Sequence, residues 1–191
     1  MALRKIATIG HPVLRERARE VTPSELADAS TQQLIDDIVA TMRDANGAGL
    51  AANQVHVPMR ICAIEVAENP RYPYMPSWPL TILVNPVLEP TTQETFLNFE
   101  GCLSVPNLRG QVPRFTGASI RALDRHGSQL DFVVLGLTAG TFQHELDHLD
   151  GTLFVDRVVD TRTLCTLDAF DRFHRTEFAT RAKDLVARFG S

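Results

Sequence analysis

The sequence is poor in cysteine, which argues against a fold held together by disulfide bonds. Its 191 residues contain 3 cysteines, Cys62, Cys102 and Cys165, an odd number at wide spacing. The disulfide frameworks of small secreted proteins use an even and much denser set. We therefore expect free thiols, or a thiolate that serves as a metal ligand.

Long apolar runs and an excess of positive charge are also missing. The longest apolar stretches, such as residues 132–137, are far shorter than the roughly 18 residues of a membrane span. Residues 1–20 contain no continuous apolar region of the kind found in secretory signals. Lys and Arg total 19 against 23 Asp and Glu, a net charge of −4, which does not suit a protein that binds DNA through its phosphates. We expect a cytoplasmic protein that contacts neither membrane nor DNA directly; the matrix of an organelle is the alternative if a transit segment has been removed.

Length and composition indicate one globular domain over residues 1–191. Hydrophobic residues make up 44% of the chain and charged residues 22%, close to the averages of soluble globular proteins. Domains average roughly 150 residues, so two full domains are not expected.

The first two thirds of the chain predict one amphipathic helix followed by strands. Thr22, Pro23 and Glu25 fit a capping box, and apolar residues then recur with helical spacing until Asn46 and Gly47. Patterns typical of strands follow at residues 60–66, 80–88, 93–99, 118–124 and 128–134. A loop between the first two of these strands is predicted by four prolines, Pro70, Pro73, Pro76 and Pro79.

Two further helices are predicted near the C-terminus. One spans about residues 138–150, with Phe142, Leu146 and Leu149 on its apolar face and Gly151 at its end. In residues 160–189, apolar residues recur among charges as on a surface helix. We expect an α+β domain in which antiparallel strands surround the first helix and the C-terminal helix lies outside.

The helix predicted over residues 138–150 carries the pattern H-E-x-x-H, which is typical of zinc hydrolases. Residues four apart on a helix have Cβ atoms roughly 5 to 6 Å apart, so His144 and His148 can bind one ion. Glu145 is then close enough to act on a metal-activated water without being a ligand itself.

Two histidines do not complete a catalytic metal site, and the sequence offers several third ligands. The metzincin pattern would require a histidine at the position of Phe154, which cannot coordinate a metal, so this class is excluded. A thermolysin-like peptidase would use a carboxylate from a following helix, and Asp168 or Glu177 could supply it. The remaining candidate is Cys102, which lies in the segment E-G-C-L-S.

Three segments together resemble the peptide deformylase family. Residues 47–54 match the family pattern G-x-G-L-A-A-x-Q, residues 100–104 match E-G-C-L-S, and residues 143–148 match Q-H-E-x-D-H. Their order and separations also fit, and the resemblance covers about residues 5–170, which would form the core of the domain.

The resemblance implies a hydrolase that removes the formyl group from the N-terminal formyl-methionine of newly made polypeptides and releases formate. Cys102, His144 and His148 would bind one divalent ion, and Glu145 would move a proton from the attacking water to the leaving amine. The family points to Fe²⁺ as the physiological ion, with Zn²⁺, Ni²⁺ or Co²⁺ as substitutes. The ligand set taken alone suits zinc well.

The resemblance also assigns contacts to the substrate and to partners. The side-chain amide of Gln54 and the backbone N–H of Leu103 would stabilise the oxyanion. Small residues would let the backbone of an extended peptide approach and pair; these are Gly47, Ala48, Gly49 and Gly101. The implied partners are formyl-methionyl nascent peptides and the ribosome near its exit tunnel, with the protein acting as a monomer or homodimer.

Two positions depart from the family pattern. Asn53 stands where an apolar residue or proline is usual, and Gly140 stands where arginine or a branched aliphatic residue is usual. Glycine in a helix interior costs roughly 1 kcal/mol relative to alanine. Because Gly140 lies one turn before His144, we expect an enlarged substrate pocket or a looser pocket mouth.

The sequence leaves two other functions open. One is a gluzincin-like peptidase, and the other is a non-catalytic metal-binding module that docks on ribosomes or nascent chains. Formate release from a formyl-methionyl peptide separates a deformylase from both.

Overall fold

Antiparallel strands form two sheets in the computed structural model, which describes residues 2–67 and 74–190. The strands are β1 (Gly49–Ala51), β2 (Ile61–Val66), β3 (Trp78–Pro90), β4 (Thr95–Cys102), β5 (Val105–Phe115), β6 (Gly117–Leu123), β7 (Gln129–Leu135) and β8 (Cys165–Thr166). The helices are α1 (Pro23–Ala27), α2 (Ala29–Asp44), α3 (Gly136–Leu149), α4 (Leu167–Ala169) and α5 (Arg175–Phe189). Within the described ranges, no helix has the length and apolar character needed to cross a membrane.

Helix α3 occupies the centre of the domain. Five strands pair in the order β1-β2-β3-β6-β7 and three in the order β4-β5-β8. Helix α3 contacts strands of both sheets, and almost all of its residues are buried. The expected α+β architecture, with antiparallel strands around a central helix, is therefore confirmed.

The N-terminal helix begins where the capping box predicts but is interrupted. The Thr22 hydroxyl accepts from the Glu25 backbone N–H at 3.3 Å, and the Glu25 carboxylate accepts from the Thr22 backbone N–H at 2.9 Å. Asp28 then takes an extended conformation, so α1 ends and α2 begins after it. Leu34 and Ile38 on α2 are buried in one apolar core cluster that includes β2 residues.

The five predicted strands are all present, with shifts at their ends. The largest shift is in β4, which continues as far as Cys102. Strand β5 was not predicted because Pro106, Gly110 and Pro113 interrupt the alternation that indicates a strand.

The proline-rich loop is only partly borne out. Pro79, expected in the loop, lies inside β3, at the bulge between the pairs Val66–Trp78 and Ile64–Thr81, where proline is tolerated. Pro76 lies just before β3, whereas Pro70 and Pro73 fall outside the described residues.

The prediction of one helix over residues 160–189 is wrong in its first part. Residues 161–163 form a 3₁₀ turn, and β8 then pairs with β5 through the partners Cys165 and Arg109. The helix begins only after Thr166, whose hydroxyl accepts from the Ala169 backbone N–H at 3.2 Å. From there α4, one π turn and α5 continue to residue 189. The apolar spacing suited a helix throughout, but strand pairing with β5 decides the conformation of the first residues.

Candidate metal centre

Cys102, His144 and His148 come together at the centre of the domain. The ligand atoms of these three residues all lie within 4.8 Å of one another. The Cys102 Sγ atom is 3.2 Å from His148 Nε2, and the two imidazole centroids are 4.9 Å apart. Helix α3 brings the histidines to one face because they are four residues apart, and β4 delivers the cysteine at its last residue.

The donor chemistry of this cluster fits a divalent metal ion. Burial disfavours the Cys102 thiolate, but the imidazoles of His148 and His144 outweigh burial and lower the pKa of the thiol well below its ordinary value. A thiolate is the form of cysteine that binds metals. One thiolate and two imidazoles form a three-ligand set that leaves a coordination position open, as catalytic sites require.

The carboxylates proposed for a thermolysin-like site do not join the cluster. Asp168 and Glu177 are exposed, and the group of metal-binding side chains found among the described residues consists of Cys102, His144 and His148.

A chain of ion pairs, buried except for Arg157 at its outer end, holds His144 in place. The Glu100 carboxylate lies 2.8 Å from His144 Nδ1 and accepts from Arg114 at 2.7 and 2.9 Å. Arg114 also donates to Asp147 at 2.6 Å, and Arg157 donates to the same carboxylate. The chain therefore links β4, β5 and α3 through buried side chains.

The charge of Arg114 keeps Glu100 ionised. Burial raises the pKa of Glu100, but the adjacent Arg114 guanidinium overcomes this effect and lowers the pKa to about 2. An ionised carboxylate can only accept, so His144 Nδ1 carries the proton in this hydrogen bond. His144 Nε2 is then left free for a ligand bond, an arrangement common in metal-binding histidines.

Glu100, Arg114 and Asp147 were given no role by the sequence interpretation. Glu100 and Asp147 lie inside two of the quoted segments, so these segments contained a signal. No local pattern marks Arg114, because its partners are distant in the sequence and become neighbours only in the folded chain.

Glu145 lies beside the cluster with an unused oxygen atom. Its side chain is buried, and among the described residues its Oε2 atom has no hydrogen-bond partner. Burial raises the pKa of this carboxyl group. The backbone of Gly49 passes so close that a Cβ atom there would lie 2.4 Å from Glu145 Cδ and Oε1.

Gln54 is a buried residue with a fixed side-chain amide. Its Oε1 atom accepts from the Ala51 backbone N–H at 2.8 Å, and its Nε2 atom donates to Ser104 Oγ at 3.0 Å. The same Nε2 atom lies 3.5 Å from Cys102 Sγ. An amide donor is therefore aimed at the region of the three candidate ligands.

A pocket of about 340 Å³ opens above these side chains. Nine of the ten residues singled out from the sequence line it: Gly47, Ala48, Gly49, Gln54, Gly101, Cys102, Leu103, His144 and Glu145. His148, the tenth, is buried beside them at 1% exposure. The pocket is further lined by apolar residues of the C-terminal segment, Leu167 and Phe178.

The two departures from the family pattern have structural explanations. The Asn53 side-chain amide is buried and donates to the backbone carbonyl of His148, so it ties the end of α3 to the segment after β1. Gly140 lines the pocket, but a Cβ atom there would lie 3.2 Å from Phe96 Cζ and 3.5 Å from Asn98 Nδ2. The space beside Gly140 is thus already occupied by these two side chains, which argues against an enlarged pocket at this point.

Comparisons with known proteins agree with this geometry. A family model described as polypeptide deformylase matches residues 3–163. The chain is 42% identical to peptide deformylase 2 of Nostoc sp. over 153 residues, which cover 80% of this chain and 84% of the relative. It is 40% identical to the chloroplastic/mitochondrial peptide deformylase 1A of Arabidopsis thaliana over 178 residues, covering 88% and 66% of the two chains.

Solved structures show the same fold. A class I type b peptide deformylase from Acinetobacter baumannii with bound Met-Ala-Ser has a TM-score of 0.79 and 38% identity, and the match covers 82% of this chain and 99% of that chain. A peptide deformylase from Legionella pneumophila has a TM-score of 0.73 and 34% identity, with 98% of this chain and 99% of that chain covered.

Proposed function

The chain belongs to the polypeptide deformylase family, whose members remove the N-formyl group from nascent polypeptides, and on this premise we propose that Cys102, His144 and His148 hold the metal ion of the reaction. The observation that carries the proposal is that these three side chains meet at one pocket, beside a carboxylate whose Oε2 atom has no hydrogen-bond partner in the described part of the chain. A divalent ion held there would supply a Lewis acid and lower the pKa of a water molecule.

Glu145 would handle the proton in this reaction. Its Oε2 atom has no partner among the described residues, so it can accept a proton from the attacking water. The same oxygen can then deliver the proton to the amine that leaves when the formyl C–N bond breaks. The raised pKa of Glu145 is suited to such a carrier, because a carboxylate of ordinary pKa would hold a proton only weakly.

Gln54 and Leu103 would stabilise the negative charge that develops on the formyl oxygen. Ala51 and Ser104 hold the Gln54 amide in position, and the N–H that points at Cys102 Sγ from 3.5 Å would be the one that turns to the oxyanion; a donor held in position is the most effective kind. Leu103 follows Cys102 directly and lines the pocket, so its backbone N–H is proposed as the second donor.

The peptide backbone would pair with the edge of β1. Strand β1 is the outermost strand of its sheet, and Gly47, Ala48 and Gly49 line the pocket. An extended peptide can add to such an edge through main-chain hydrogen bonds. Gly101 lines the pocket as well, as the residue that precedes Cys102.

We propose Fe²⁺ as the resident ion, on the basis of the family resemblance. Zinc is the competing assignment because the ligand set suits it, and Ni²⁺ or Co²⁺ are expected to substitute. Ferrous iron next to a thiolate is sensitive to oxygen, and oxidation of Cys102 would destroy the ligand set. Formate release per bound metal, measured for the Fe²⁺, Ni²⁺ and Zn²⁺ forms before and after exposure to air, tests this. A Zn²⁺ form that is the fastest, with an Fe²⁺ form indifferent to air, would contradict the iron assignment and leave the ligand assignment intact.

The proposed setting is the cytoplasm, next to the ribosome exit tunnel, where formylated nascent chains emerge. The organelle matrix is the alternative, and the Arabidopsis thaliana relative is named as chloroplastic/mitochondrial. Sedimentation with ribosomes that carry nascent chains, at increasing salt, tests the ribosome contact. Sedimentation equilibrium of the free protein distinguishes monomer from homodimer.

The decisive experiment measures formate release from formyl-Met-Ala-Ser by the wild-type protein and by Glu145→Gln. The amide can still hydrogen-bond to water but cannot accept its proton, so turnover should fall by about 10² to 10⁴ while the metal content stays unchanged. Wild-type turnover in this variant would exclude Glu145 as the proton carrier. No formate from the metal-loaded wild type would refute the proposed function.

A further inference from the structure

The two candidate histidines differ in what their second ring nitrogen contacts. His144 Nδ1 lies 2.8 Å from the Glu100 carboxylate, whereas His148 Nδ1 is buried and has no hydrogen-bond partner in residues 2–67 and 74–190. The other ring nitrogen of His148, Nε2, lies 3.2 Å from Cys102 Sγ and so faces the cluster. A neutral imidazole that binds a metal through Nε2 carries its proton on Nδ1, so a buried N–H donor at this point needs an acceptor.

Asn53 has a buried acceptor that is also unpaired. The residue is 0% exposed, and its Nδ2 atom donates to the backbone carbonyl of His148. A carbonyl oxygen can only accept, so the nitrogen of the amide must face it and the orientation of the amide is settled. The oxygen of the amide, Oδ1, then points elsewhere and has no donor within the described ranges.

One unpaired donor and one unpaired acceptor therefore belong to two residues that are already joined by a hydrogen bond. Buried polar groups in folded proteins are almost always paired, either with the protein or with an ordered water. We propose that Asn53 is the positioning residue of His148, and that its Oδ1 atom accepts from His148 Nδ1, directly or across one buried water, when the metal ion is bound. The inference rests on the proposed function, because it takes His148 as a metal ligand.

The chemistry of an amide suits this role. The bond from Nδ2 holds the Asn53 side chain against the last turn of α3, which carries His148. A carboxylate buried there would need a cation beside it, as Glu100 has Arg114, whereas a neutral amide needs none. The apolar residue or proline that is usual at this position in the family pattern would supply no acceptor. The inference therefore concerns a departure of this chain from that pattern.

The test measures the Zn²⁺ affinity of the folded protein, by competition with a chromophoric chelator, in Asn53→Leu and in a matched control. The control, Gln32→Leu, removes another side-chain amide that donates to backbone carbonyls, those of Leu26 at 2.8 Å and Arg125 at 2.9 Å. We expect the Kd for Zn²⁺ to rise at least about 10-fold in Asn53→Leu, the usual effect of losing a hydrogen-bond partner of a ligand, and to stay unchanged in Gln32→Leu. The visible absorption spectrum of the Co²⁺ form, which reports the ligand geometry, should change in Asn53→Leu alone.

Asn53→Asp separates the acceptor from the bond to the His148 carbonyl. Aspartate keeps an oxygen in the place of Oδ1 and loses the N–H donor, so its Kd for Zn²⁺ should lie closer to the wild-type value than that of Asn53→Leu, even if its urea midpoint is lower. If Asn53→Leu does not fold, Asn53→Pro takes its place and should show the same rise in Kd.

Two results would overturn the inference: a wild-type Kd in the folded Asn53→Leu protein, or an equal rise in Asn53→Leu and Asn53→Asp. The second result would mean that only the bond to the His148 carbonyl matters. His148→Ala distinguishes this failure from a failure of the proposed function. If His148→Ala binds Zn²⁺ as tightly as the wild type, the ligand assignment fails together with the inference; if His148→Ala weakens binding and Asn53→Leu does not, the inference alone fails.

Discussion

Replacement of Gly49 by alanine should slow formate release about 100-fold and leave the protein folded. The new Cβ atom would lie 2.4 Å from Glu145 Cδ and Oε1, whereas ordinary contacts begin at 3.4 Å. The carboxylate must therefore retreat by about 1 Å. A misplacement of about 1 Å costs on the order of 10² in rate, or about 2.7 kcal/mol of activation free energy.

The stability of the protein should change little. The group that must move is a single side chain from Glu145 Cγ outward, and its Oε2 atom has no hydrogen-bond partner among the described residues that the movement would break. Urea unfolding of the Gly49→Ala variant should therefore give a midpoint close to that of the wild type. The decrease in the rate of formate release should appear in kcat, because the substitution displaces the proton carrier.

A double-mutant cycle with Glu145→Gln isolates this cause. If Gly49→Ala acts through Glu145, it should lower kcat by a much smaller factor in the Glu145→Gln background than in the wild type, because the proton carrier is already lost there. The readout is kcat for formate release in all four proteins. If Gly49→Ala lowers kcat by the same factor in both backgrounds, or leaves kcat at the wild-type value, the reasoning is refuted.

Three further predictions concern the donors, the ion pairs and the metal. Gln54→Ala should lower kcat by about 10² to 10³, the usual loss for one oxyanion donor, whereas an effect confined to KM would make Gln54 a ground-state binding residue. Arg114→Leu should lower the free energy of unfolding by about 3 to 5 kcal/mol in urea titrations, because the buried Glu100 carboxylate loses its guanidinium partner and Asp147 keeps only the pair with Arg157 among the described residues; an unchanged midpoint would contradict the role given to Arg114. Cys102→Ala should lose tightly held metal on gel filtration, measured by elemental analysis, and full occupancy would overturn the ligand assignment.

Much of the fold follows from the apolar pattern, because α3 has apolar residues at helical spacing, β6 partly alternates, and β2 is a short apolar run. Strand β5 was not predicted because two prolines and a glycine interrupt its pattern, although it follows β4 after a two-residue turn and pairs with it. The conformation of residues 160–166 was mispredicted for a different reason: pairing with β5, which is distant in the sequence, outweighs an apolar spacing that suits a helix.

The candidate site was more predictable than the fold around it. The three quoted segments name the residues that meet at the pocket, because short motifs record which chemistry is needed at each position. They do not record what holds those residues. Arg114 carries no local signal, and the contribution of Phe178 to the pocket depends on how α5 packs against α3 and β4.

The chain of ion pairs behind His144 balances its own charge. Glu100 and Asp147 contribute two negative charges, and Arg114 and Arg157 contribute two positive ones. These four side-chain charges therefore cancel without any contribution from a bound metal ion. The arrangement of these side chains should persist when one divalent ion is exchanged for another. Differences in activity among the iron, nickel and zinc forms should then reflect the chemistry of the ions and not a rearrangement of the protein.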